Sequence, residues 1–187
     1  MFASRFKDKW ASLILPTAAV LVLFADQISK NIIVSNLQRY EEWAPIPALQ
    51  RLFAITHITN TGAAFGLFPD ASLFFTIIAV VVIAVILVYH RQLATHQWLL
   101  KLGLGLQLGG ASGNLLDRLT RGYVVDFIHF KFWPVFNVAD SCVFVGAALM
   151  AFFLFKEGKE ASGERQETSV AEDHEKEDSG HNLSATL

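Results

Sequence analysis

Hydrophobic residues along this chain form four long runs separated by shorter polar stretches, a pattern typical of helices that cross a membrane. The clearest run covers 72–90 and carries no charged residue before it reaches His90. Spans are predicted at about 10–34, 72–90, 98–117 and 137–155, each close to the length that a bilayer requires. The pattern therefore favours an α-helical integral membrane protein with four transmembrane helices.

The first run follows a basic segment, MFASRFKDK, so it also resembles a secretory signal peptide. An uncleaved helix is preferred, because apolar residues continue beyond Ala25 to Ile33 and further spans follow. Asp26 and Lys30 are four positions apart in this extension and share one helix face. They either brace a polar site or simply pair, with the lysine reaching towards the interface.

Polar and proline residues break the hydrophobic pattern between about 35 and 70. Within this stretch the residues 52–59, LFAITHIT, are rich in β-branched side chains and predict a strand. Small residues at 60–66 follow and predict a turn. Residues 119–136, between the last two runs, are predicted to form a loop.

The third run differs from the others in its many small residues. These are Gly103, Gly105, Gly109, Gly110, Ala111, Ser112 and Gly113. Small side chains let neighbouring membrane helices approach closely, so this helix is predicted to occupy a central position.

The composition agrees with a membrane protein and sets off the end of the chain. Hydrophobic residues make up 53% and charged residues only 17% of the sequence, against about a quarter charged in soluble domains. From Glu157 onward nine acidic residues outnumber three basic ones, and few are apolar. We therefore expect a membrane domain at 1–157 and a disordered cytoplasmic tail at 158–187. Basic residues form no stripe for nucleic acid, and the single Cys142 excludes an internal disulfide.

The distribution of Lys and Arg predicts the orientation. Four spans place both termini on one side, where eight basic residues lie near the span ends against five on the other side. The excess favours cytoplasmic termini. The polar residues at the extracytoplasmic ends are then Asp26, Lys30, Asn60, Asn114, Asp117, Arg118, Asp126 and Asp140, which come from four separate parts of the sequence.

Asp126 and Asp140 are the strongest candidates for chemistry, because each lies among apolar residues next to a predicted span. Taken singly, Asp126 could be an ordinary loop acid, and Asp140 could be an acid favoured by a helix N-terminus. Taken together, two carboxylates in a poorly solvated site share a proton. One then activates a water and the other protonates the scissile carbonyl. This aspartic-peptidase scheme needs no metal and no cofactor.

Other chemistries have weaker support in the sequence. A Ser–Lys dyad would need Lys30 to meet Ser112 or Ser141, and nothing in the spacing indicates this. His57 and His129 are isolated and lack metal-ligand spacing. A non-enzymatic, proton-coupled carrier is the alternative class, since membrane acids often relay protons. A relay would place its acids at several depths, whereas these gather at one end.

The polar residues also fall into five motifs. They are Asp26-Gln27-x-x-Lys30, Asn60-x-Gly62-x-Ala64-Phe65, Gly109-Gly110-x-x-Gly113-Asn114-x-x-Asp117-Arg118, Val125-Asp126-Phe127 and Phe136-Asn137-x-Ala139-Asp140. In this order, over about 20–155, they resemble the motifs of the bacterial lipoprotein signal peptidases, the type II signal peptidases.

This resemblance implies a fold and a site. It implies that Asp126 and Asp140 are the catalytic pair and that a small extracytoplasmic β-sheet cradle covers about 37–67. The supporting and substrate-binding positions implied are Asp26, Lys30, Asn60, Gly62, Asn114, Arg118 and Asn137. Among these, Asn114 and Arg118 are expected to hold substrate carbonyls, and Asn137 to orient Asp140.

The resemblance also implies the biological setting. The substrate is a prolipoprotein whose cysteine already carries diacylglycerol, and cleavage falls just before that cysteine. The protein is expected in the bacterial inner membrane, in contact with membrane lipid, acting as a monomer and blocked by globomycin-type cyclic peptides.

Overall fold

The part of the chain that the structure describes contains four long helices and one small sheet. The computed structural model describes residues 2–62, 72–94 and 97–159, with side chains from residue 11 onward. The helices are α1 Phe2–Asn36, α2 Ser72–Tyr89, α3 Trp98–Arg121 and α4 Val138–Lys159. The strands β1 Glu42–Trp43, β2 Phe53–Asn60 and β3 Val124–Phe130 form an antiparallel sheet in that order. Short 3-10 turns lie at Pro47–Leu49 and His90–Gln92.

Among the described residues, three segments are long and apolar enough to cross a membrane: Ala11–Asn36, Ser72–Gln92 and Val138–Lys159. The helix α3 has 24 residues, but its glycines and polar side chains lower its hydropathy. The predicted α-helical integral membrane fold with a small sheet is confirmed. The tail from 160 and residues 63–67 of the cradle lie outside the described residues.

One face of α3 presents glycines to α1 at every fourth position. A Cβ placed on Gly105 would lie 2.7 Å from the Leu15 carbonyl oxygen, and one on Gly109 would lie 2.6 Å from that of Ala19. Such distances are shorter than real Cβ contacts, so any larger side chain here would force the two helices apart. The backbones of α1 and α3 therefore pack directly against each other.

A second face of α3 meets α4 in the same way. A Cβ on Gly103 would lie 2.9 Å from the Gly146 carbonyl oxygen, and one on Gly110 would lie 2.5 Å from that of Ala139. Small residues on both helices allow this approach. Because α3 contacts α1 and α4 through opposite sets of glycines, the predicted central position is confirmed.

Replacing Gly110 with Leu is expected to lower the free energy of unfolding by about 3 kcal/mol, because the new side chain must displace the α4 backbone at Ala139. Thermal unfolding in detergent measures the change. Ala148→Leu is the matched control, since Ala148 is exposed on α4 and should tolerate the larger side chain within about 0.5 kcal/mol. Equal stability of the two variants would contradict the packing.

The prediction of a loop over 119–136 is wrong. The helix α3 continues to Arg121 and ends at Gly122, whose φ of 79° provides the left-handed cap and whose N–H donates to the Arg118 carbonyl. Residues 124–130 then form β3. This strand is buried on both faces at its start, so it lacks the alternation of apolar and polar residues that identifies a half-exposed strand.

The strand β2 brings Asn60 onto the same sheet face as Asp126. In the antiparallel register Ile58 lies opposite Asp126 and Asn60 opposite Val124, so the Asn60 and Asp126 side chains are diagonal neighbours. The strand predicted at 52–59 is confirmed to within one residue. On the other face, Val125 and Phe127 pack with Ile33 of α1. The sheet thus rests on α1 and presents Asp126 away from that core.

Candidate active site

Asp126 is buried in β3, with 2% of its surface exposed. Two amide side chains hold its carboxylate. Asn137 Nδ2 donates to Oδ1 at 2.7 Å, and Asn60 Nδ2 donates to Oδ2 at 2.8 Å. The Asn60 amide is oriented in turn by the Gly62 N–H, which donates to its Oδ1 at 3.0 Å. The predicted site residues Asn60, Gly62 and Asn137 therefore converge on Asp126.

Asp140 is the third residue of α4 and takes part in the cap of that helix. Asn137 precedes the helix, and its Oδ1 accepts the Asp140 N–H at 2.9 Å. In return the Asn137 N–H donates to Asp140 Oδ2 at 3.3 Å, which completes a reciprocal capping box. Asn114 Nδ2 of α3 donates to Asp140 Oδ1 at 2.7 Å. Capping and a neighbouring helix therefore fix the position of this carboxylate.

The two carboxylates line one cavity of about 790 Å³. Its other walls are Asn60 and the segment Lys131–Phe136, which is mostly apolar. Asn137 is fully buried beneath the site and joins the two acids, since its side chain binds the Asp126 carboxylate and the Asp140 N–H. Asn137 was expected to orient Asp140, and the structure shows that it fixes Asp126 as well.

Burial, followed by the nearby charge of Asp140, raises the pKa of Asp126 to about 7. The hydrogen bonds from Asn60 and Asn137 oppose this shift because they stabilise the ionised form. The carboxyl can therefore hold a proton near neutral pH, as a pair that shares one proton requires.

Lys30 lies behind the cavity in a buried ionic cluster. Its Nζ is 2.8 Å from Asp26 Oδ2, 3.0 Å from Asp117 Oδ2 and 2.8 Å from Asn114 Oδ1. Lys30, Asp26 and Asp117 are all 0% exposed, so the alternative in which Lys30 reaches the interface does not hold. Through Asn114, the cluster is connected to Asp140 by two hydrogen bonds.

Asp26 also connects α1 to α4. Its Oδ1 accepts the N–H of Ala139, the residue before Asp140, at 3.0 Å. The carboxylate thereby satisfies one of the N–H groups that a helix N-terminus leaves without an internal partner. The predicted site residues Asp26 and Lys30 thus brace the start of α4 from the first membrane span.

Asp117 and Gln27 belong to this cluster but are not among the site residues predicted from the sequence. Asp117 accepts the Val125 N–H at 3.1 Å, which ties α3 to β3, and lies 3.5 Å from Arg121. Gln27 Nε2 is 3.1–3.2 Å from Asp26, Asp117 and the Gly113 carbonyl. The available signal was the spacing of Asn114 and Asp117, which puts them on one face of α3.

Asn114 and Arg118 differ in how many of their donor groups already have a hydrogen-bond partner. The Asn114 side chain already donates to Asp140 and accepts from Lys30, which leaves one N–H for a substrate carbonyl. Arg118 donates to the Asn114 backbone carbonyl and lies over the Phe75 ring, 5.7 Å from its centroid. Its Nε is buried without a hydrogen-bond partner among the described residues. Arg118 is therefore the freer of the two donors.

Two of the histidines, His57 and His129, lie in the sheet. His57 Nδ1 is 2.9 Å from the Leu37 carbonyl oxygen, and His129 Nδ1 is 2.9 Å from Glu42 Oε1. Glu42 also accepts two hydrogen bonds from Lys131, which lower the pKa of the Glu42 carboxyl. These contacts give both rings a structural role between elements of the cradle.

Membrane-capable helices around two amide-bound carboxylates, Asp126 buried and Asp140 partly buried, form the architecture of a membrane-embedded aspartic peptidase. Comparison with known proteins gives the family. A family model described as "Signal peptidase (SPase) II" matches residues 18–156. The chain belongs to the signal peptidase II family of bacterial membrane enzymes, which are aspartic peptidases.

The sequence of this chain aligns with its relatives along most of their length. The lipoprotein signal peptidase of Halothermothrix orenii is 40% identical over 140 residues, covering 75% of this chain and 94% of that protein. That of Moorella thermoacetica is 43% identical over 136 residues, covering 73% and 89%. Two solved chains, described as bacterial membrane enzymes studied by the in meso method at 2.3 and 1.9 Å resolution, are each 31% identical, with TM-scores of 0.69 and 0.67. They cover 76% and 75% of this chain and are themselves 87% and 91% covered.

Proposed function

We propose that this protein removes signal peptides from lipid-modified prolipoproteins, with Asp126 and Asp140 as the catalytic pair. The observation that carries the assignment is that the buried Asp126 carboxylate and the partly buried Asp140 carboxylate line one cavity, each fixed by an asparagine side chain. The relatives named lipoprotein signal peptidase support the substrate class. The motif resemblance supports a cut just before the lipidated cysteine.

The mechanism follows from the protonation of the pair. Asp126, with a pKa of about 7, carries the shared proton before substrate binds. Asp140 accepts a proton from a water held between the carboxylates, and that water attacks the scissile carbonyl carbon while Asp126 protonates the carbonyl oxygen. The tetrahedral intermediate then collapses as the leaving amine takes a proton from the pair. The titration belongs to both residues together.

The apolar surfaces beside the pair suit a membrane substrate. A second cavity, of about 450 Å³, adjoins Asp140 and is lined by Trp133, Phe136, Ser141, Phe144 and Val145. Its lining is almost wholly apolar and extends along α4. We assign this groove to the hydrophobic segment of the signal peptide, which would remain among apolar side chains while its end reaches the carboxylates.

The proposed location is the bacterial inner membrane, with the site on the extracytoplasmic side and both termini in the cytoplasm. The excess of Lys and Arg at the opposite helix ends supports this orientation. Exposed aromatic residues near the sheet, Tyr40, Trp43 and Trp133, suit the membrane–water interface.

A monomer is proposed because one chain supplies both carboxylates and their amide partners. The peptidase domain is assigned to 1–157 and the tail to 158–187.

The carrier alternative is not favoured, because the family match covers the whole polar cluster.

A direct test of the proposed cleavage uses purified protein with a synthetic precursor that carries diacylglycerol on its cysteine. We expect one cut before that cysteine, identified by product mass, and inhibition by a globomycin-type cyclic peptide. The same precursor without lipid is the control and should be cleaved much more slowly. Equal cleavage of both precursors would contradict the proposed specificity.

Cleavage is expected to fall as the pH rises through about 7, because the pair then loses the proton that Asp126 holds. Asn60→Ala removes a hydrogen bond to the ionised form, so it should raise the pKa of Asp126 and move the upper limb of the kcat/KM profile to higher pH. Asn36→Ala, at an exposed amide on α1, is the control and should leave the profile unchanged. An upper limb that stays fixed in Asn60→Ala would mean that another group controls it.

A further inference from the structure

A small cavity lies at the end of α3 remote from the carboxylate pair. It encloses about 300 Å³ and is lined by Ser12, Leu15, His90, Arg91, Leu93 and Lys101. Three of these six side chains are basic. Lys101 is thirteen positions from Asn114 along α3, so at a rise of about 1.5 Å per residue the cavity lies roughly 20 Å from the proposed catalytic site.

Lys101 is the unusual residue in this cavity. It is only 7% exposed, yet among the described side chains no carboxylate pairs with its ammonium. A buried charge without a partner is costly. Lys30, which is 0% exposed, provides the contrast within the same protein, since two carboxylates and an amide oxygen surround its ammonium. Within the part of the chain whose side chains the structure describes, the Lys101 site therefore has no counterpart of the carboxylates that surround Lys30.

The position of Lys101 increases this imbalance. It is the fourth residue of α3, a helix that has no acidic residue in its first turn. The N-terminus of a helix carries partial positive charge, so a lysine there is unfavourable unless an anion binds beside it. Arg91, in the turn that follows α2, adds a further positive charge to the same cavity.

We propose that this cavity binds the phosphate group of an anionic phospholipid, with Lys101 and Arg91 as its cationic contacts. Free phosphate shares this chemistry. The lipid is favoured because the cavity lies at the ends of membrane-capable helices, and because Leu15 and Leu93 provide apolar walls beside the charges. Basic pockets between membrane helices are typical sites for such headgroups. This binding site is separate from the proposed peptidase site.

The test titrates purified full-length protein in neutral detergent with phosphatidylglycerol and follows thermal unfolding by tryptophan fluorescence. We expect lipid to raise the Tm of the unaltered protein, and Lys101→Met to increase the midpoint lipid concentration about tenfold or more. Arg91→Gln, at an exposed side chain, should weaken the same titration by a smaller factor. Arg51→Gln removes an exposed charge far along the chain and should leave the midpoint unchanged.

Two further arms identify the anion. Phosphatidylcholine, whose headgroup is zwitterionic, should not reproduce the Tm shift, and millimolar inorganic phosphate should not either. Equal midpoints for Lys101→Met and the unaltered protein, or an equal shift with phosphatidylcholine, would overturn the proposal. A Lys101-dependent shift with inorganic phosphate alone would overturn the assignment to lipid. Native mass spectrometry of Arg91→Gln, by counting bound phosphatidylglycerol, keeps the test decisive if Lys101→Met does not fold.

Discussion

Asp126→Asn and Asp140→Asn are each expected to reduce cleavage of a lipidated precursor about a thousandfold or more. Removal of either carboxyl eliminates the group that takes the proton from water or the group that gives it to the substrate. Asn keeps the volume of Asp and one acceptor oxygen. The amide partners Asn60, Asn114 and Asn137 can therefore retain part of their hydrogen bonding. Single-turnover cleavage of purified protein measures the loss.

A loss of activity has meaning only if the variants fold. Their Tm in detergent should stay close to that of the unaltered protein, and bound globomycin-type peptide would report an intact cavity. Glu41→Gln is the matched control, because it removes a carboxylate from an exposed residue of the cradle and should leave cleavage intact. Normal processing by either Asn variant would remove that residue from the proposed pair.

Lys30→Met is expected to lower the free energy of unfolding by about 3–5 kcal/mol, the usual cost of removing one partner from a buried ion pair. Two carboxylates, Asp26 and Asp117, would then face each other at 0% exposure, and among the described side chains Arg121, 3.5 Å from Asp117, would be the remaining cation beside them. For a protein of this size the Tm should fall by about 10 °C. Cleavage should fall as well, because Lys30 holds the Asn114 oxygen behind Asp140.

A second substitution separates the charge effect from loss of the side chain. Lys30→Met combined with Asp26→Asn removes one charge of each sign, so the double variant should recover a large part of the lost stability. Activity should recover less, since Asn114 still lacks its lysine partner. A single Lys30→Met variant with unaltered Tm would show that the cluster contributes little, and one with unaltered cleavage would separate it from Asp140.

Much of the architecture was predictable because membrane helices leave a strong signal in sequence. The uncharged run at 72–90 and the glycines of α3 predict a span and a close helix contact without knowledge of any partner. The strand at 52–59 was predictable from its β-branched residues. The gathering of the acids at one end followed from span counting alone, and the structure places both Asp126 and Asp140 at one cavity.

The features that were not predicted from the sequence depend on contacts between segments that are distant along the chain. The strand β3 reads as an apolar loop because both of its faces are covered, and its partner β2 lies about seventy residues earlier. Asp117 looks like an ordinary acid at a helix end until Lys30 of α1 and the Val125 N–H are brought to it. The double role of Asn137 was equally hidden, because its contact with Asp126 exists only once Phe136 pairs with Ile128 beside β3.

The start of α4 has a consequence for how the enzyme would fail on heating. Side-chain oxygens accept hydrogen bonds from three backbone N–H groups at this helix start, those of Asn137, Ala139 and Asp140. Helices commonly leave such groups to solvent. Terminal fraying, ordinarily harmless, would here release Asp26 from the backbone and turn Asp140 away from Asp126. Thermal inactivation would then begin as a local opening of one helical turn, before the membrane helices separate, and the enzyme would recover fully on cooling from that stage.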